Sequence, residues 1–399
     1  MEIANRRELE LYIHIPFCVK KCNYCDFLSF GMEDERLADM PCRPTRQLPI
    51  PDMYVEALCR EIRWYGRQNR FRHRPVISVF FGGGTPSLMC EAQIFRVMAE
   101  LRENFIIRRN AEITMEANPG TLTPGKLKQM CFCGVNRLSL GLQSTSDREL
   151  KLLGRIHNYG AFLQSFKWAR EAGFENINVD LISAVPEQTV VSYRKSLEQI
   201  IALGPEHISA YCLFFEPVTL SESMMQEGLL RMPEEEEERK MYHLTQSCLS
   251  RAGYERYEIS NYARPGFECR HNMGYWQGRD YLGLGLGASG FIDGCRFSNT
   301  TNMKDYLTLE NGAQGWYSET EHLSRKAKME EFMFLGLRLL RGVSEKAFYQ
   351  KFDEKIMAVY GEAICKNETY GLLLRRNGRL RLTERGLDLA NMVMADFIL

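Results

Sequence analysis

Hydrophobic residues along the chain gather into six short runs: ELYIHIPF (9–16), VISVFF (76–81), AEITMEA (111–117), NRLSLGL (136–142), NINVDLI (176–182) and HISAYCLF (207–214). Each is rich in β-branched or aromatic residues and bounded by turn residues, as strands are. Between them, segments such as MYVEALCREIRWYG (53–66), EAQIFRVMAELREN (91–104) and TVVSYRKSLEQIIA (189–202) have the amphipathic pattern of helices. Strand and helix in alternation predict an α/β fold, a parallel sheet with crossover helices. Six units fall short of the eight that close a barrel, so an incomplete (βα)6 barrel with a wide lateral opening is expected.

Polar and glycine residues concentrate where these strands end. The second runs into Gly82-Gly83-Gly84-Thr85-Pro86, the third ends at Glu116 and Asn118, the fourth at Gln143 and the fifth at Asp180. One such end is an ordinary βα turn. Several in agreement predict a common site at the carboxyl ends of the strands, where barrels of this kind bind their ligands.

Away from the βα units, Pro41, Pro44, Pro49 and Pro51 make a long loop of residues 31–52. The rhythm stops after residue 215, and PEEEEERKMYHLTQSCLSRAG (233–253) reads as an exposed helix with an acidic first turn. We divide the chain at residue 300, with a second unit over 301–399. There KMEEFMFLGLRLLRG (328–342) and EKAFYQKFDEKIMAVY (345–360) are helical by period. Two short strands then flank Asn377-Gly378, a hairpin turn, before a last helix. Helices plus a hairpin predict a small winged-helix-like domain.

Winged domains often bind DNA, and Arg375, Arg376, Arg379 and Arg381 flank this wing. Across the chain, however, 51 basic residues balance 51 acidic ones. The balance favours a solvated wing over a nucleic-acid site. No run approaches the ~18 apolar residues of a membrane span, and MEIANRRELE lacks the apolar core of a secretory signal. Thirteen cysteines without framework spacing then read as reduced, cytosolic thiols. Ten are taken as structural, the neighbours Cys131 and Cys133 among them.

The other three, Cys18, Cys22 and Cys25, follow the first strand in HIPFCVKKCNYCDF. Soft thiolates so spaced bind zinc, copper(I) or an iron–sulfur cluster. His14 can complete a Cys3His zinc site, although it lies within an alternating strand on the same face as Tyr12. In a cubane cluster held by three cysteines, one iron stays open to a substrate or cofactor. The missing fourth thiol is then the functional feature.

Cys-x3-Cys-x2-Cys, with Tyr24 before the last cysteine and a strand ahead of it, resembles the signature of the radical S-adenosylmethionine (SAM) superfamily. The resemblance implies a 4Fe–4S cluster on Cys18, Cys22 and Cys25 whose open iron chelates SAM, together with an electron donor. Residues 11–30 and 81–88, EITMEANPG (112–120), NRLSLGLQS (136–144), LGRIH (153–157) and YEISNYARPGFECRHNMGYW (257–276) are similar to its heme-chaperone branch, HemW. That branch is related to oxygen-independent coproporphyrinogen III dehydrogenase (HemN), and the similarity extends through the C-terminal domain.

By this resemblance Tyr12 and Tyr24 border the SAM site, and Gly83, Gly84 and Thr85 let backbone approach its methionyl end. Glu116 and Asp180 accept hydroxyl or amine donors, Gln143 donates and accepts, and Arg155 pairs with a carboxylate. HNMGYW (271–276) matches the branch's HNxxYW motif, so His271 is a candidate heme ligand and Tyr275 and Trp276 candidate stacking rings; the alternative is a packed, hydrogen-bonded histidine. Two positions depart from the pattern: Ala184 where relatives often have glycine, and Ser289 where many have histidine. The resemblance implies heme binding and transfer to acceptor proteins. Against the dehydrogenase itself stand Asp26-Phe27, where the enzyme has a further cysteine two residues after the third ligand, and the short stretch before Cys18, where it has a covering extension.

Overall fold

The fold, a computed structural model, is described over residues 8–37, 44–214, 219–309 and 317–398, with the side chains of 317–319 left aside. All six expected strands are present: β1 (Leu9–Ile15), β2 (Pro75–Gly83), β3 (Ile106–Ala117), β4 (Arg137–Gln143), β5 (Ile177–Ser183) and β6 (His207–Cys212). They pair in parallel and in chain order. The helices between them lie at Asp52–Gly66, Glu91–Asn104, Pro124–Phe132, Tyr159–Glu171 and Val190–Leu203, with shorter helices beside them. Local chemistry sets their ends. Thr189 caps the last of these helices through the Ser192 amide, and Gly204, at φ 65°, closes it in the left-handed conformation.

Side chains alternate strictly across the sheet. Leu9, Leu11, Ile13 and Ile15 of β1 pack outward against the helices, as do Ile113, Met115, Leu138, Leu140, Ile177 and Val179. The other face is polar. Register places Glu10, Ser78 and Glu112 in one layer, Tyr12, Phe80, Thr114 and Arg137 in the next, and His14, Glu116, Ser139, Asn178 and His207 above them. These groups face the lumen and some of them satisfy one another, while Glu10, Thr114 Oγ1 and Arg137 Nε are buried without a hydrogen-bond partner. Asn178 Nδ2 donates to Ser139 Oγ at 2.8 Å and to Asp180 Oδ1 at 2.7 Å, while its Oδ1 takes a bond from Ser209 Oγ at 3.1 Å.

Beyond residue 215 the parallel rhythm does stop, but the sheet does not. It continues through β7 (Glu255–Arg256), β8 (Asn261–Ala263), β9 (Tyr281–Leu284), β10 (Ser289–Ile292), β11 (Cys295–Asn299) and β12 (Tyr317–His322), in the order β12-β11-β10-β9-β1-β2-β3-β4-β5-β6-β8-β7. These strands are too short to carry a readable pattern. β12 pairs with β11, so the sheet runs past residue 300, and a second core begins at Met329.

In the C-terminal unit β13 (Val343–Ser344), β14 (Leu373–Arg376) and β15 (Arg379–Leu382) form a small antiparallel sheet with Asn377-Gly378 at the hairpin turn. The expected helix over 345–360 is two helices, Glu345–Phe352 and Ile356–Thr369, because Asp353 adopts φ 52° and ends the first. The break lets Phe348, Phe352, Ile356 and Tyr360 all enter the second core. The loop expected over 31–52 lies partly outside the described residues; Glu35–Leu37 form one short helical turn.

Candidate functional site

The loop after β1 is pinned at its base. Phe17 and Phe30 form a parallel bridge, Cys18 N donates to Phe30 O at 2.9 Å, and Phe30 N to Pro16 O at 2.8 Å. Asn23 docks its far side, donating from N to Leu153 O and from Nδ2 to Leu152 O, both at 3.1 Å. The LGRIH segment is thereby fixed against the cysteines. Gly84 N donates to Ile15 O at 2.8 Å, and Gly83 has φ 107° with room for a Cβ removed by the His14 ring, 2.5 Å away. The glycine run is therefore needed for the close approach of β2 to β1, whatever else it admits.

A chain of polar contacts joins two of the thiols. Thr85 Oγ1 donates to Cys18 Sγ at 3.4 Å and accepts from Asn118 Nδ2 at 2.9 Å. Asn118 Oδ1 accepts from Arg155 Nη2, which also donates to Gly141 O at 2.6 Å, and Arg155 Nη1 donates to Cys22 Sγ at 3.4 Å. Arg155 Nε is buried with no hydrogen-bond partner, as is Gln143 Oε1. Asn118 is the hub, and sequence reasoning placed it at a strand end without assigning it a role. Burial raises the Cys18 thiol, and raises Cys25 to about 11, so both are protonated until a metal displaces the proton.

Two half-buried carboxylates, Glu116 and Asp180, share the lumen. Burial, then the neighbouring Asp180, push Glu116 up to about 8, against the Gly83 amide that lowers it. Burial also raises Asp180, although Asn178 donates to it. A cationic or hydroxyl-bearing guest would satisfy this pair. Tyr24 packs among Leu153, Ile182 and Val185 and interacts electrostatically with Arg155 and Asp180, while Tyr12 lies in the lumen with its hydroxyl 3.0 Å from His14 Nδ1. Gln143 sits at the end of β4 with φ 77°, and Ala184 takes φ 58°, a left-handed conformation that glycine adopts more easily. Ser289 is exposed on β10, with its hydroxyl 3.0 Å from that of Ser298.

His14 is not available to zinc. Its Nε2 is 2.8 Å from Leu28 O and its Nδ1 is held by Tyr12. No three His, Cys, Asp or Glu side chains among the described residues converge tightly enough to grip one bare ion. A cavity of about 570 Å3 lined by Cys22, Cys25 and Asn23 adjoins the loop.

His271 lies elsewhere, at the opposite end of the strands. Its helix, Arg270–Trp276, is held under the lumen by Glu112, which accepts from the Arg270 and His271 amides at 3.1 and 3.2 Å. The imidazole is 1% exposed, with Nδ1 2.9 Å from Ser78 Oγ and Nε2 2.9 Å from Tyr275 OH. Phe80 stacks on it at 5.1 Å and Tyr275 meets it edge-on at 4.9 Å. Burial, then Arg137, lower its pKa to about 3. As folded, neither nitrogen is open to an iron, and Tyr275 is turned into the same core. Trp276 alone of the motif's rings faces the C-terminal unit, with Arg338 4.3 Å from its centroid.

Comparison with known proteins accounts for both ends of the chain. Residues 12–200 match the radical SAM superfamily and residues 323–389 the HemN C-terminal domain. The chain is 35% identical over 388 residues to heme chaperone HemW of Lactococcus lactis, covering 97% of each protein. The chain belongs to the HemW family. Heme chaperone HemW of Bacillus subtilis is likewise 35% identical, over 97% of this chain and 98% of that one, and that of Escherichia coli 34%, over 98% of each. Coproporphyrinogen III oxidase (HemN) of E. coli, a radical SAM enzyme, superposes with a TM-score of 0.83 at 26% identity, covering 98% of this chain and 90% of that one. No helix among the described residues is long and apolar enough to cross a membrane.

Proposed function

We propose that the chain is a heme chaperone: it binds a 4Fe–4S cluster, SAM and heme, and passes heme to acceptor proteins in the cytoplasm. Cys18, Cys22 and Cys25 hold the cluster. Thr85 and Arg155 donate to the sulfurs of Cys18 and Cys22, which steadies thiolate charge and orients these side chains. Glu116, Asp180 and Gln143, with Arg155, line the SAM site, and Tyr12 and Tyr24 border it. A cluster held there would supply one-electron chemistry toward the SAM sulfonium, given an electron donor. Near-full-length likeness to heme chaperones from several bacteria carries this reading.

The second reading is the dehydrogenase, favoured by the close superposition on HemN. Against it stands Phe27, 69% exposed in a position where that enzyme has a cysteine. Transfer separates the two. The hemin-loaded protein should deliver heme to an apo-hemoprotein, read as a shift of the Soret band to that of the acceptor. If hemin stays on the chain with every acceptor tried while the protein converts coproporphyrinogen III, the chaperone reading is lost.

A further inference from the structure

Beneath the lumen, between the Arg270–Trp276 helix and the C-terminal unit, lies a groove of about 410 Å3. Its volume is in the range of small-molecule sites. Trp276, Phe291, Phe332 and Leu335 give it apolar walls, and Arg341 and Arg379 stand at one side with Lys328. The one acidic residue in the lining, Glu331, is already paired with Arg296 at 2.7 Å.

The positive charge here has no matching acid. The Arg341 side chain has no hydrogen bond or ion pair among the described residues, and burial followed by Arg379 and Arg279 lowers its pKa. Arg379 donates only to main chain, to Arg341 O at 2.7 Å and Gly342 O at 2.8 Å, so it is anchored yet keeps its charge unneutralised. This also removes Arg379 from the solvated wing arginines. A second cleft, of about 640 Å3, shares Arg341, but its Arg108 and Arg279 are matched by Glu8 at 2.7 Å and Glu10 at 3.5 Å. Guanidinium groups with no carboxylate partner, as Arg341 and Arg379 are in the groove, are stabilised by an anion. Aromatic walls beside them select one that is also flat and apolar.

We propose that this groove binds heme, with Trp276 and Phe332 against the macrocycle and Arg341 and Arg379 on its two propionates. The proposal rests on the heme-chaperone reading and gives it a location. Trp276 supplies the link to the HNMGYW motif, whose histidine faces the other way. The indole Nε1 is buried without a hydrogen-bond partner, an orphan donor at the groove.

Full-length protein with its cluster reconstituted anaerobically would be titrated with hemin and with hemin dimethyl ester, following the Soret band. The unaltered chain should bind hemin about tenfold or more tightly than the ester, the effect of one or more charge-assisted hydrogen bonds. Arg341→Glu should weaken hemin by a similar factor and lose most of the discrimination between hemin and ester, the sign of direct coupling. Iron content and cluster absorption should match the parent. If hemin and ester bind alike to the parent, or Arg341→Glu binds hemin as the parent does, heme lies elsewhere and the groove assignment is wrong while the chaperone reading stands. No hemin binding by the parent would remove the chaperone reading and this site with it. Should Arg341→Glu not fold, the ester comparison on the unaltered chain decides.

Discussion

Arg155 shows how a residue within a motif becomes a functional one. The resemblance implies a carboxylate partner for it, and within the chain the fold gives it Cys22 Sγ, Asn118 Oδ1 and Gly141 O, with Nε left over. Arg155→Ala and Asn118→Ala should therefore both weaken SAM binding about tenfold or more while leaving iron content unchanged, since neither supplies a cluster ligand. Equilibrium binding and iron assay on the same samples check this; parent-like SAM affinity in both would dissolve the network's role. Asn118 was legible as a strand-end residue but not as a hub, because its partners come from residues 85 and 155. His271 teaches the reverse. Its motif marks it, but Ser78 and Tyr275 consume both nitrogens, and a partner 193 residues away cannot be read from spacing. His271→Ala should leave the Soret maximum of the heme-bound protein in place and cost about 2–4 kcal/mol of stability through the orphaned partners. A displaced maximum with unchanged stability would instead make it a ligand.

Among the elements, the strands were readable because their apolar alternate positions are unambiguous. Their polar alternate positions carried as much information: Glu10, Tyr12, His14, Glu112, Thr114, Glu116, Asn178 and Asp180 form the lumen lining, which alternation implies once the sheet is known to curl. What could not be read was the plug beneath it. Gly274 of the Arg270–Trp276 helix packs so closely on Glu10 that an added Cβ would lie 2.1 Å from its carboxylate. Burial pushes Glu10 up to about 8, only partly offset by Arg279 at 3.5 Å. In the unfolded chain this carboxyl ionises near its ordinary value of 4.5. Between those two values the folded chain keeps a proton that the unfolded chain has released, so Glu10 makes folding less favourable as pH rises. Glu10→Gln removes that term. Relative to the parent, its stability should climb between about pH 5 and pH 8, by at most about 1.4 kcal/mol per pH unit. Urea midpoints at the two pH values measure the slope, and a flat difference would mean that Glu10 is ionised in the folded state.

For the whole molecule, the incomplete barrel and the hairpin-bearing C-terminal unit were both expected from pattern. The short strands β7 to β12 and the docking of the second unit were not. The docking rests on single contacts between distant segments, such as Leu340 N to Tyr257 O at 3.1 Å and the bridge between Glu258 and Leu339. Docking creates the groove, so a site there has no signature in either segment alone. Loss of the cluster by Cys22→Ser should leave this arrangement folded, with a far-ultraviolet circular dichroism spectrum like the parent's, because the thiols lie at the other end of the strands. The central claim is that this radical SAM fold carries heme and does not make its precursor. One anaerobic, cluster-loaded preparation, given hemin in one portion and coproporphyrinogen III with SAM and a reductant in the other, tests it most directly. Stoichiometric hemin binding and no protoporphyrinogen IX by chromatography are the expected results. Multiple-turnover decarboxylation that Cys22→Ser abolishes would contradict it.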